Sequence, residues 1–255
     1  MTQHVSEAIW LWCHKAACYN HSAYHCPGDS QATPADVAAA MGIKNAIMVV
    51  YADEPKPPFE PFAAQFSGMN KVIWSIIGDG ASKRNDTDSD LEPVIRLKKT
   101  LPNLQAGIMD DFFGHGRDNL DQVRRYADLL HAAGLKLWVV LYGHQLATPN
   151  LKEHLKLCDV INFWTWCAEE LPLLEQRLQT VHELAPDKQI ALGCYMWDFG
   201  GKKPIPVKDM EFQCNLALQK YESGLISDIV LLGSPLWGMD IEAVRWSSNW
   251  VKKLA

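Results

Sequence analysis

Asp110 and Asp111 stand side by side after the apolar run 104–109 and before Phe112, Phe113 and a Gly-His-Gly-Arg stretch. Neighbouring carboxylates repel, so keeping both at one place costs free energy unless a proton, a cation or a substrate group offsets it. That cost is also a resource: one carboxyl can hold a proton and act as an acid while the other stays ionised as base, nucleophile or ligand. The abrupt change from apolar to acidic places the pair where a buried strand leaves the interior and meets a mouth.

Other apolar runs also end on residues with chemistry. Trp12 and His14 follow the run 8–12, Asp53 and Glu54 the run 45–51, Asp79 the run 71–77, and His144 the run 137–142. Trp164 and Trp166 close the run 160–166, Tyr195, Trp197 and Asp198 close the run 190–198, and Ser234 follows 228–232. The opposite ends begin with Asn45, Lys71, Lys136 and Gln189, ordinary solvated starts. Carboxylates supply acid, base, nucleophile or metal ligand, and Trp and Tyr offer flat apolar surface for the C–H face of a sugar ring. Together they point to a carbohydrate site. The catalytic candidates are Asp110, Asp111 and Asp198. The substrate-binding candidates are Trp12, His14, Glu54, Asp79, His144, Trp164, Trp166, Tyr195 and Trp197. A plain core role suits any one of the four tryptophans about as well, but all four together less well.

The elements that must position these residues follow from periodicity and end signals. Thr33 as N-cap and Pro34 at the first helical position open a helix that Gly42 closes. A short amphipathic segment spans 59–69. Ser89 and Glu92 match a capping box for a helix that stops before Pro102. Asp118 or Asn119 caps the next helix, ended by Gly134. Further helices are read from about 151, over 170–184, over 207–221 with Gly224 as its cap, and over 240–254. Eight strand readings alternate with helix readings at steps of roughly 30 residues, which predicts a parallel sheet closed into a (β/α)8 TIM barrel, one domain over residues 1–255. The competing arrangement is an open doubly wound sheet, but no strand carries a G-x-G-x-x-G turn. In a barrel the site lies at the C-terminal strand ends, where the acidic and aromatic residues collect.

The chain has 255 residues, a formal net charge of −6 and 21% charged residues, with Lys and Arg dispersed. That distribution gives no electrostatic footprint for nucleic acid or an anionic membrane, and no apolar run has spanning length. Seven cysteines without regular spacing fit a reducing compartment better than a disulfide scaffold. The location expected is therefore cytoplasmic, or secreted if a leader has been removed from a precursor. The sequence carries no signal for oligomeric state.

At Asp110-Asp111 the chain resembles glycoside hydrolase barrels, in particular the β-N-acetylhexosaminidase and O-GlcNAcase groups, which carry adjacent acidic residues after strand four. The resemblance covers that motif, the barrel layout and loosely the Tyr/Trp-Asp ending of strand seven. It implies a glycosidase with no cofactor and a carbohydrate substrate. It also implies Asp111 as general acid and Asp110 as the residue orienting a substrate 2-acetamido group that acts as internal nucleophile. Successive strand residues point to opposite sides, so both can face one ligand only if the strand twists or bulges at its end. The simpler alternative has one Asp catalytic and the other capping a loop or pairing with Arg117. A second layout, resembling the large retaining clan with glutamates on strands four and seven, pairs Asp111 as acid/base with Asp198 as nucleophile. This chain departs from that clan in offering aspartates and in having Asp110 where the clan has Asn.

Three further readings compete. A metal-dependent isomerase, epimerase or lyase would use Glu54, Asp79, Asp110 and His144 as oxygen-rich ligands for Mg²⁺ or Mn²⁺. A non-catalytic sugar-binding barrel would keep the aromatic mouth without turnover. The cluster His14, Cys18, His21, His25 and Cys26 invites zinc, but its spacing matches no closed zinc pattern, and no metal is expected. Gly200-Gly201-Lys202-Lys203 could hold a phosphate, although prolines at 204 and 206 remove two donors. No lysine ends a strand interior, which disfavours a Schiff-base aldolase.

Overall fold

Strands form where apolar runs are covered on both faces, and the runs here are covered by helices outside and by each other inside. In a computed structural model describing residues 4–114 and 119–254, eight parallel strands close into a barrel in sequence order. They are β1 (Ile9–Cys13), β2 (Asn45–Met48), β3 (Lys71–Ile77), β4 (Leu104–Met109), β5 (Lys136–Tyr142), β6 (Val160–Trp164), β7 (Gln189–Tyr195) and β8 (Asp228–Leu232). β1 pairs with both β2 and β8, which closes the ring. Each strand is followed by a helix: α1 (Pro34–Met41), α2 (Glu60–Ala63), α3 (Leu91–Leu97), α4 (Leu120–Ala132), α5 (Leu151–Leu157), α6 (Leu174–Leu184), α7 (Val207–Glu222) and α8 (Glu242–Lys253). The chain is a (β/α)8 TIM barrel. Among the described residues no helix is long and apolar enough to cross a membrane.

Local signals explain most boundaries. Thr33 caps α1, its hydroxyl accepting from Asp36 N–H, and Asp36 completes a capping box. Gly42, Gly134 and Gly224 take left-handed φ values of 76°, 72° and 77° after their helices, a conformation that glycine adopts without a Cβ penalty. Asn119 caps α4 by accepting from Asp121 N–H; Asp118 and Arg117 lie outside the described residues. The expected Ser89–Glu92 capping box does not form. α3 begins one turn position later, with Asp90 as its N-cap residue, and the Asp90 carboxylate is taken by Arg84 at 2.7 Å and 3.1 Å.

Period two sorts the strand side chains. Trp74 points outward from β3 against Phe59, Phe62 and Phe66, with ring centroids 5.1–6.2 Å apart. Inside, Trp10 meets Trp138 edge-on at 5.6 Å, and nearer the mouth Trp12 meets Trp164 at 5.3 Å. At the floor Trp10 Nε1 donates to Asp228, and the Lys71 ammonium lies 5.9 Å from the Trp10 ring centre. Gly193 in β7 lies beneath Trp164: a Cβ there would come within 2.0 Å of the indole. The β3–β4 register shifts between Ser75 and Ile77, next to the end of β4, the irregularity that a bulge introduces to re-aim side chains.

Candidate active site

At the C-terminal end of the barrel the strand ends surround a narrow cavity with about 30 Å³ of space open to water. Its acidic wall is Asp79, Asp110 and Asp111, and its aromatic wall includes Trp12, Tyr24, Tyr51, Tyr142, Trp164, Trp166, Tyr195 and Phe199. β4 ends at Met109, so Asp110 continues the inward face, and Asp111 then adopts φ 42°. That left-handed residue turns the chain so that both carboxyls line one cavity, the departure from strand geometry that the adjacent pair required. Aspartate tolerates this conformation better than most side chains.

The two carboxyls have different surroundings. Asp110 is 5% exposed, and its Oδ1 accepts the Asp111 N–H at 3.0 Å. Burial, with the charges of Asp111 and Asp79 beside it, holds the Asp110 carboxyl well above the ordinary carboxylate range. Asp111 is less buried and accepts from Gly80 N–H at 2.8 Å and from the Tyr142 hydroxyl at 2.9 Å. Asp79 accepts from Ala52 N–H at 2.8 Å, Ser82 Oγ at 2.7 Å and Ala81 N–H at 3.1 Å. It therefore ties the loops after β2 and β3 together while presenting charge to the cavity.

His14 lines the cavity with both ring nitrogens occupied. Nδ1 donates to the Val49 carbonyl at 3.0 Å, so Nε2 is the acceptor for Trp12 Nε1–H at 3.1 Å, since indole can only donate. Burial pushes the imidazole down to about 4. The folded pKa is depressed below the unfolded value of about 6.5, so this group's contribution is present above 6.5 and lost as pH falls toward 4. We expect acid unfolding to include a loss of about 3 kcal/mol across that window that His14→Gln removes, measured by urea unfolding at pH 7 and pH 4.5. An unchanged pH slope in the variant would assign the titration elsewhere.

Of the expected substrate-binding residues, Trp12, His14, Asp79, Trp164, Trp166 and Tyr195 line the cavity, and Glu54, His144 and Trp197 do not. Glu54 pairs with Lys15 at 3.0 Å and Lys56 at 3.8 Å. His144 is exposed in a one-turn helix after β5 and stacks on Tyr142. Trp197 is buried behind the wall, its Nε1 donating to the Tyr24 carbonyl at 3.0 Å. Asp198, expected as a catalytic partner, is also outside the cavity lining. β7 ends at Tyr195, and the Asp198 carboxylate is used by its own loops: Oδ1 accepts from Gly201 N–H at 2.8 Å and Ala168 N–H at 3.2 Å. We expect Asp198→Asn to keep kcat within about three-fold on any glycoside the protein turns over, while Asp198→Ala loses about 1–3 kcal/mol in urea unfolding. Loss of turnover in the asparagine variant, restored by added azide, would instead make Asp198 a nucleophile.

The metal reading loses two of its four ligands, because neither Glu54 nor His144 reaches the cavity. Among the described residues no three His, Cys, Asp or Glu side chains are grouped as metal ligands, the 13–26 loop included. That loop instead contributes Tyr19 and Tyr24 to the mouth. The amides proposed for phosphate are spent internally: Gly200 N–H donates to the Trp166 carbonyl and Gly201 N–H to Asp198.

Tyr19, Tyr24, Tyr51, Tyr142 and Phe199 are cavity residues beyond the expected set. Tyr142 had a readable signal. It is the last inward residue before Gly143, and His144 shares its parity but lies past the strand. Tyr19, Tyr24 and Phe199 sit on irregular segments with no period to read.

No family model matches the chain, and neither does any curated protein. Solved structures match at the level of the barrel. A glycoside hydrolase family 17 β-1,3-glucanosyltransferase from Rhizomucor miehei is 11% identical, with 78% of this chain and 79% of that one covered and a TM-score of 0.57. A chitinase from Chromobacterium violaceum is 12% identical over 96% and 98% of the two chains, with a TM-score of 0.55. The tryptophan synthase α-subunit from Pyrococcus furiosus is 11% identical over 98% and 97%, with a TM-score of 0.54. Glycoside hydrolase barrels are thus among the structural neighbours, together with a barrel of another chemistry, and at this identity the likeness shows the fold.

Proposed function

We propose that the protein is a glycoside hydrolase acting on a neutral or amine-bearing glycan, with Asp110 as proton donor and Asp111 as its ionised partner. The observation that carries this is the unequal carboxyl pair on the wall of an aromatic cavity: Asp110 is buried, which raises its carboxyl well above the ordinary range, and Asp111 accepts from Gly80 and Tyr142. The proton-donor role expected of Asp111 passes to Asp110 in this reading. Asp110 protonates the glycosidic oxygen as the C–O bond breaks, and the leaving group departs as an alcohol. Asp111 stabilises the positive charge developing at the anomeric carbon, directly or by orienting a substrate 2-acetamido group that closes on that carbon. Asp110, now ionised, then takes a proton from the water that attacks.

The placement of Asp198 favours this adjacent-pair layout over one that pairs carboxylates across the mouth. Trp166, half-buried at the mouth, offers a face for a sugar ring, with the buried Phe199 stacked against it at 6.0 Å and 26°. Among the described lining residues there are three carboxylates and no Lys or Arg, so a uronic or phosphorylated sugar would meet repulsion.

The test is incubation of wild type and Asp110→Asn with a panel of polysaccharides and aryl glycosides, with products identified by NMR. Turnover by wild type alone is the expected result. Absence of turnover across the panel would reject the hydrolase reading, and thermal stabilisation by a glycan without turnover would replace it with a sugar-binding barrel.

A further inference from the structure

The Tyr142 hydroxyl reaches both carboxyls of the pair, and its hydrogen-bond geometry is satisfied at Asp111 Oδ1, 2.9 Å away. The ring has little freedom to swing. It stacks on His144 with centroids 5.5 Å apart and 6° between planes, and meets Trp166 edge-on at 5.7 Å. Its backbone is held as well: Tyr142 N–H donates to Gln145 Oε1 at 3.0 Å, and Gln145 Nε2 donates to the Phe113 carbonyl at 3.0 Å. That amide therefore bridges the end of β5 to the segment just after the aspartates. A phenol has one proton to give.

We propose that Tyr142 is a positioning residue that keeps the shared proton of the pair on Asp110, by giving its only O–H to Asp111. This rests on the reading of Asp110 as proton donor. A buried pair with one proton has two arrangements, and only the one with the proton on Asp110 leaves both groups ready for their steps. An O–H donor aimed at Asp111 stabilises its ionised form and so selects that arrangement. Gly80 N–H, donating to Asp111 Oδ2 at 2.8 Å, favours the same arrangement, and the Asp111 N–H at 3.0 Å from Asp110 Oδ1 opposes it. Asp79 repels charge on Asp110, Tyr24 feels Asp110, Asp111 and Asp79 alike, and no Lys or Arg lines the cavity among the described residues.

Removing the donor lets Asp111 compete for the proton, so the ionisations of the pair should move up in pH. In Tyr142→Phe we expect kcat to fall at least ten-fold with KM changed less than three-fold, and the acidic limb of the kcat profile to move up by about one pH unit. Gln145→Met, which frees the Tyr142 backbone from the segment after the aspartates, should move the same limb in the same direction by less. A purely structural role would lower both parameters without moving the limb. The pair can also be followed without substrate, by carbon-detected NMR titration of the aspartate carboxyls in wild type and both variants. Superimposable titrations overturn the proposal even if wild type is an Asp110-dependent hydrolase. Shifted titrations in a protein that hydrolyses nothing would support the proton placement and reject the hydrolase reading. Should Tyr142→Phe fail to fold, the Gln145→Met titration decides alone.

Discussion

Asp110→Asn should lower kcat by about two to four orders of magnitude while the barrel remains folded, because proton donation to the leaving oxygen is lost and little else changes. Asparagine is neutral and close in shape to the protonated carboxyl it replaces, so the buried wall meets no new charge. The stability curve carries a second signature. The folded pKa of Asp110 is raised above the unfolded value by burial and by Asp111 and Asp79. Between those two values the folded protein holds a proton that the unfolded chain has released, so wild-type stability falls as pH rises, by about 1.4 kcal/mol per unit from this one group. The variant lacks that slope, and its stability should gain on wild type as pH rises above about 4. Steady-state kinetics and urea unfolding at pH 5 and 7 measure the two effects. A kcat within ten-fold of wild type would remove Asp110 from the chemistry, and parallel stability curves would show that it is ionised in the folded protein.

Gly193→Ala should be the most damaging glycine-to-alanine change among the described glycines whose surroundings are known. The added carbon would stand 2.0, 2.2 and 2.3 Å from three atoms of the Trp164 indole, well inside contact distance. The indole has nowhere to go. It is 1% exposed, lies against Tyr195 at 4.5 Å and Trp12 at 5.3 Å, and is tethered by Nε1 to Asn162 Oδ1 at 2.9 Å. Relief requires either parting β6 from β7 or breaking the Asn162 bond and driving Trp164 into the cavity. We expect a loss of at least about 3 kcal/mol in urea unfolding, with loss of any glycan binding in the fraction that still folds. A double variant, Gly193→Ala with Trp164→Leu, should recover part of the stability and none of the binding. A single variant as stable as wild type would mean that the packing at this strand pair is looser than the contacts imply.

The barrel was legible in the sequence because its determinants are local and repeated. Apolar runs such as 71–77 and 137–142 mark strands, and Thr33, Gly42, Gly134 and Gly224 mark helix ends by conformations few other residues adopt. The Asp110–Asp111 pair was legible because an acidic step after an apolar run has few structural explanations. What escaped lies in the loops. Asp198 looked like a strand-end acid only because strand seven was read three residues too long; its partners, Gly201 and Ala168, come from two separate turns that no periodicity describes. Ser89 and Glu92 had the spacing of a capping box, but Arg84 had already fixed Asp90 and with it the helix start. The different surroundings of Asp110 and Asp111 could not be read from adjacency, since they depend on a left-handed turn at Asp111 and on Tyr142 arriving from another strand.

The indole ring of Trp12, bonded to a histidine that stays neutral until about pH 4, has an optical consequence. A protonated imidazole quenches indole emission and a neutral one does so weakly, so the fluorescence of this ring should stay bright across the working range. Trp12, Trp164 and Trp166 all border the cavity. The mouth thus carries its own dye, and a ligand settling there should change the emission.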